Sequence, residues 1–264
     1  MKKYLCLLLL CVIFILVASS CNGITDINIV SDEKTETTPN DDDFIYLTEN
    51  TTKNLISISI PLNDKFNEET IDFIKIFIEN RISASFDQKF NLALSKDDIS
   101  DEKLEYSNCY MDIDSEISFI SDEAVSIVFN GLFNKKGTAH PIHCFFSLNF
   151  DPATYKILSF SDNYVINEDL YNTFAEIAEK DLVNRCNGKW PDEWKDFSEE
   201  LCSEEDFLKG MQNGEFDYFY TSKGIGISYP VTFSLGDHIE VIIPHSNLEK
   251  FEIGDVEIGG GSLC

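Results

Sequence analysis

Residues 109–160 read CYMDIDSEISFISDEAVSIVFNGLFNKKGTAHPIHCFFSLNFDPATYKILSF, and this stretch decides the fold class. Four runs in it are rich in β-branched and aromatic residues: Cys109 to Phe119, Ala124 to Phe133, His143 to Phe150 and Lys156 to Phe160. The joins are Ser121-Asp122-Glu123, Asn134-Lys135-Lys136-Gly137 and Asp151-Pro152-Ala153, which carry the residues that turns require. Four strands at this spacing predict an antiparallel meander.

Helical spacing appears on either side of it. Leu55-Ile56-Ser57-Ile58-Ser59-Ile60 alternates like a half-buried strand. Asn67 then caps a helix with Glu68 and Glu69 in its first turn. Ile71, Ile74, Ile78, Ile82 and Phe86 form its apolar face, with Phe77 beside them. Beyond the meander, Asn167 caps a second helix, Glu168 and Asp169 suit its positive end, and Leu170, Phe174, Ile177, Ala178 and Leu182 line one face. Short acidic helical stretches surround Trp190 to Phe197 and run from Glu204 to Met211. Phe216 to Tyr220, Gly224 to Tyr229 and Ile239 to Ile243 read as closing strands. This order predicts an α+β fold of antiparallel meanders and a few packed helices. The expected division is into two small subdomains, 44–121 and 122–253, with a loose tail at 254–264 around Gly259-Gly260-Gly261.

The N-terminus has the layout of an export signal. Lys2 and Lys3 precede an apolar run from Tyr4 to Val17, and Ala18-Ser19-Ser20 leads directly into Cys21. The run is shorter than the roughly 20 apolar residues of a spanning helix. Small residues followed by Cys21 are similar to the lipobox of bacterial lipoproteins, in which that cysteine is lipidated and becomes the first residue. This predicts a signal peptide over 1–20, a palmitate-type lipid anchor on Cys21 and a location on the outer side of the cell membrane. Residues 22–43, polar and ending in Asn40-Asp41-Asp42-Asp43, read as a solvated tether.

Composition narrows the partners. The formal charge is −27, and loss of Lys2 and Lys3 with the signal takes it to −29. A field of that sign opposes binding to nucleic acid or to flat anionic lipid, and steers basic partners inward. Of eight cysteines, Cys6 and Cys11 leave with the signal and Cys21 is the anchor. Cys109, Cys144, Cys186, Cys202 and Cys264 remain, an odd number with no zinc-site spacing. Cys109 with Cys144, and Cys186 with Cys202, are conceivable disulfides in an exported chain.

Motifs for catalysis are weak. His140 and His143 form an HxxH pair, but a strand puts residues three apart on opposite faces, so chelation needs a turn at Pro141. The alternative for His140 is a turn residue with a local hydrogen bond, and no metal is expected. Asp112, Asp114 and Glu116 share one strand face and suit either calcium or a glycosidase pair, or else the wet face of a half-buried strand. No glycine follows them as a calcium loop requires. There is no G-x-S-x-G elbow, and Gly224-Ile225-Gly226 stops short of a phosphate loop. Trp190, Trp194, Phe197, Tyr218 and Tyr220 form an aromatic region flanked by acids, a combination that suits sugar faces or a basic protein.

The stretch from about Val125 to Leu248 resembles the RsiV-type (DUF3298-like) extracytoplasmic domain of bacterial surface proteins. The likeness rests on Gly137-Thr138-Ala139-His140-Pro141 with Asn149-Phe150-Asp151, and on Leu158-Ser159-Phe160-Ser161-Asp162. Phe219-Tyr220, Gly224 to Ile227, Leu235-Gly236-Asp237-His238 and Ile242-Ile243-Pro244-His245 complete it. Residues 44–121 look like the small strand-helix domain that accompanies it, and that also occurs in the non-catalytic part of a peptidoglycan deacetylase. The family is named for a lysozyme-sensing anti-sigma factor. The resemblance therefore implies a non-enzymatic head without a cofactor, whose ligand is lysozyme or another cationic wall-acting protein. Cell-wall glycan is the other candidate ligand, and a wall-modifying hydrolase the other class. Trp190, Trp194, Tyr218, Tyr220 and His140 are the expected ligand-binding residues.

Overall fold

The computed structural model describes residues 44–51, 54–86, 89–96, 109–185, 203–231 and 237–253. The chain begins with a hairpin of β1 (Phe44–Asn50) and β2 (Asn54–Pro61), paired antiparallel. Helix α1 (Glu68–Phe86) follows, capped where Asn67 Oδ1 accepts the Thr70 amide at 2.9 Å. After the short β3 (Ala93–Ser95) come β4 (Cys109–Ile120), β5 (Val125–Lys135) and β6 (Ile142–Phe150). These six strands make one sheet in the order β3-β1-β2-β4-β5-β6.

The meander over 109–150 is present and antiparallel. The join between β2 and β4 is parallel, a pairing that needs a long crossover, and α1 lies within it. Strand β2, between β1 and β4, is buried along its whole length instead of alternating. The expected boundary at 121/122 falls in the turn between β4 and β5, whose residues pair from Cys109↔Lys135 to Ile120↔Val125. The fourth expected strand, 156–160, is not formed. Only an isolated bridge, Phe150↔Ile157, remains, because Ser159 and Asp162 form a capping box that starts the helical turn α2 (Phe160–Asn163).

Helix α3 (Glu168–Arg185) and helix α4 (Glu204–Asn213) then lead into a three-stranded antiparallel sheet. Its strands are β7 (Asp217–Thr221), β8 (Gly224–Pro230) and β9 (His238–Pro244). Short turns at His245–Leu248 and Glu249–Phe251 close the described chain. The α+β class holds.

Two apolar cores result. In the first, Ile71, Ile74, Ile78 and Ile82 of α1 pack on Ile56, Ile58, Met111, Ile113, Phe129 and Phe146 of the large sheet. In the second, Leu170, Phe174 and Ala178 of α3 and Phe207 of α4 cover Tyr218, Tyr220, Ile225, Ile227 and Val241 of the small sheet. The sheets meet through aromatic contacts, Phe119 with Tyr220 and Phe145 with Phe219, and through polar side chains. Strand β7 turns its edge to the large sheet, and Tyr218's carbonyl accepts from Ser147 Oγ (2.6 Å) and Asn149 Nδ2. Tyr220's amide donates to Ser126 Oγ at 3.1 Å, which in turn donates to Asn149 Oδ1 at 2.7 Å. Ser126, Ser147 and Asn149 are buried for this reason: each stands in for a missing strand at the β7 edge.

Candidate functional site

Arg81, on α1, meets Asp217, the first residue of β7, at 2.7 Å. The pair stands between two grooves of about 270 Å3 each, and both residues line both. That volume lies just under the ~300 Å3 at which small-molecule pockets begin, so each groove suits a side chain or one sugar ring.

The first groove is walled by Phe77, Phe160, Met211, Phe216 and Tyr218, with Ser147, Asn149, Gln212 and Asn213 among its polar groups. The second lies between the end of α1 and the start of β9. Phe86, Phe145 and Pro230 supply apolar wall, and Arg81, His143, Glu215, Asp217, Asp237 and His238 supply charge and polarity.

His143, Cys144 and Phe145 of β6 line the second groove, and the outer edge of β6 has no strand beside it among the described residues. Ser147's amide donates to Asp217 Oδ1 at 3.1 Å, and His143's amide donates to Asp237 Oδ2 at 2.8 Å. Asp237 holds a left-handed backbone (φ 68°), which Asp tolerates better than most residues and which aims its carboxylate at the strand. Burial pushes the Asp217 carboxyl above its ordinary range, against the pull of Arg81 and the Ser147 amide. Burial, reinforced by Asp237, likewise pushes the Cys144 thiol up to about 12, so it stands protonated and is a poor nucleophile. His238 Nε2 lies 3.4 Å from Glu240 Oε1, its ring packs 5.1 Å from Phe145, and its buried Nδ1 has no hydrogen-bond partner among the described residues.

The residues anticipated from sequence are scattered. Tyr218 and Tyr220 are 8% and 3% exposed, held in the second core by alternation along β7. Only Tyr218 reaches a groove, and its hydroxyl is committed to the Leu158 carbonyl at 2.7 Å. Burial raises both phenols. His140 is exposed in the β5–β6 connection, its Nδ1 donating to the Pro141 carbonyl at 3.0 Å. Asp112, Asp114 and Glu116 are exposed and alternate with buried Met111, Ile113 and Ser115, so they form the wet face of β4. Cys109 and Cys144 are free thiols and not a disulfide. Trp190, Trp194, Phe197, Cys186, Cys202 and Cys21 lie outside the described residues. Among the described residues, no three His, Cys, Asp or Glu side chains cluster as a metal site would require.

No family model matches the chain, and no curated protein does. The chain is similar to two solved DUF3298 structures. One is a DUF3298 family protein from Pseudomonas aeruginosa PAO1, at 18% identity and a TM-score of 0.44, over 80% of this chain and 91% of that one. The other is a DUF3298 family member from Bacteroides fragilis NCTC 9343, at 15% identity and a TM-score of 0.39, over 80% and 92%.

Proposed function

We propose that this chain is a lipoprotein of the bacterial cell surface, anchored through Cys21, whose α+β head binds a cationic envelope protein without catalysing a reaction on it. The observation that carries this reading is the charge of the second groove. Glu215, Asp217 and Asp237 face it with Arg81 as the opposing cation, and Arg81 is already bound to Asp217. The groove therefore offers surplus negative charge to a ligand, in a chain whose formal charge is −27. Two of its aspartates are engaged in holding the fold by accepting main-chain amides, and the thiol stays protonated. The RsiV-type resemblance names lysozyme as the cationic protein to try first.

Immobilised full-length protein is expected to capture lysozyme at low salt and to release it as the Debye length falls from ~10 Å at 0.1 M toward ~3 Å at 1 M. Failure to capture at low salt ends this version. The first groove favours a second reading, cell-wall glycan, because aromatic rings beside amide side chains suit a sugar ring. Retention of purified peptidoglycan fragments that persists at high salt selects that reading. Release of sugar or acetate from them selects a hydrolase.

A further inference from the structure

We propose that the β6 edge around Phe145 is a strand-addition site for an extended, basic peptide segment. This rests on the cationic-partner reading above and specifies how such a partner would be held.

Strand β6 is the last strand of the large sheet, so among the described residues one of its edges has no strand beside it. Residues 143, 145 and 147 lie opposite Leu132, Asn130 and Val128 of β5. In an antiparallel pair, alternate residues turn both main-chain groups away from the neighbouring strand. The amides of His143 and Ser147 do so, because each reaches an aspartate on the outer side. Period two places Phe145's N–H and C=O on that same side, between the two aspartates. No main-chain partner is present there among the described residues.

Natural sheets cover or charge such edges to keep other chains away. The two aspartates do this at 143 and 147, while at 145 the edge opens into the second groove. An incoming extended segment can exchange both hydrogen bonds with Phe145, as strand-adding peptides do. Its neighbouring side chains then lie beside Glu215, Asp217 and Asp237, and against the rings of Phe86 and Phe145. With Arg81 set against Asp217, the surplus carboxylates of Glu215 and Asp237 and two aromatic faces select lysine or arginine there. An acidic strand would meet like charge from Glu215 and Asp237, and a neutral one would leave that charge unmatched.

Two synthetic probes test this with the full-length protein. One is an octapeptide of alternating lysine and valine; the other is the same peptide methylated on every backbone nitrogen, which keeps its charge and has no N–H on either edge to pair as a strand. The unmethylated peptide should bind and slow hydrogen exchange at the Phe145 amide. Methylation should weaken binding about tenfold, the loss expected for one to two hydrogen bonds. Equal binding of the two peptides, or binding that leaves Phe145 exchange unchanged, overturns strand addition. Capture of lysozyme with no peptide binding overturns this inference and leaves the cationic-partner reading standing. If neither binds, both fall.

Discussion

Asp217 does three things at once: it accepts the Ser147 amide, pairs with Arg81 and separates two grooves. Nothing local in the sequence marks it. It sits 136 residues from Arg81, and only the completed fold brings them together. The type of Tyr218 and Tyr220 is visible in the sequence, whereas their direction depends on which face of β7 is covered. Asp217 also has a definite pH signature. Its folded carboxyl titrates above the unfolded one, so the native state binds the proton more tightly. That contribution to stability is present below the unfolded carboxylate range and is lost as pH rises through the raised folded value. Asp217→Asn keeps an oxygen for Ser147 and has no charge to bury. The stability of this variant relative to the natural protein should therefore increase as pH rises from about 3 to 7. Denaturant titrations across that range measure it, and a difference independent of pH contradicts the assignment. Arg81→Ala strands the buried carboxylate. It should cost about 1–2 kcal/mol at neutral pH, less than for a fully buried pair because the Arg81 side chain is 35% exposed.

At the scale of elements, the sequence reveals what has a period. Helix α1 buries Ile71, Ile74, Ile78 and Ile82 as their 3.6-residue spacing requires, and α3 buries Leu170, Phe174 and Ala178. The meander is legible because its turns carry Pro, Gly and Asp between apolar runs. Pairing between distant strands is not, since β2 gives no local indication that it lies parallel to β4 with a neighbour on each side. Strands β1 and β3 go unseen for a related reason. Partly exposed positions such as those of Phe44–Asn50, which only the short β3 covers on its outer side, carry no clean alternation. Gly131 shows how tightly β4 and β5 approach: a Cβ there would collide with the main chain of Asp112 and Ile113. Gly131→Ala cannot be relieved by a rotamer change, and should destabilise by about 1–3 kcal/mol. Ile58→Ala, at a fully buried position on β2, should cost about 2–5 kcal/mol by leaving a cavity between α1 and the sheet. A thermal or urea midpoint unmoved by both substitutions is incompatible with a close-packed central sheet.

On the scale of the whole molecule, attachment and recognition separate. No helix among the described residues is long and apolar enough to cross a membrane. The structure described begins with β1 at Phe44, so the export signal and tether read over 1–43 are tested by chemistry and not by packing. If Cys21 carries the lipid, mass spectrometry of the native product should find Cys21 as its first residue, with acyl chains on its sulfur and nitrogen. Cys21→Ser removes the acceptor and should shift the protein out of the membrane fraction. A single chain gives only marginal anchoring, at about 10^4 M^-1, while two or more hold stably. The shift should therefore be nearly complete, whereas weakening the acidic field with salt should leave the unaltered protein in place. An intact leader, or Cys21→Ser protein still in the membrane fraction at high salt, would mean that something other than lipid on this cysteine does the anchoring.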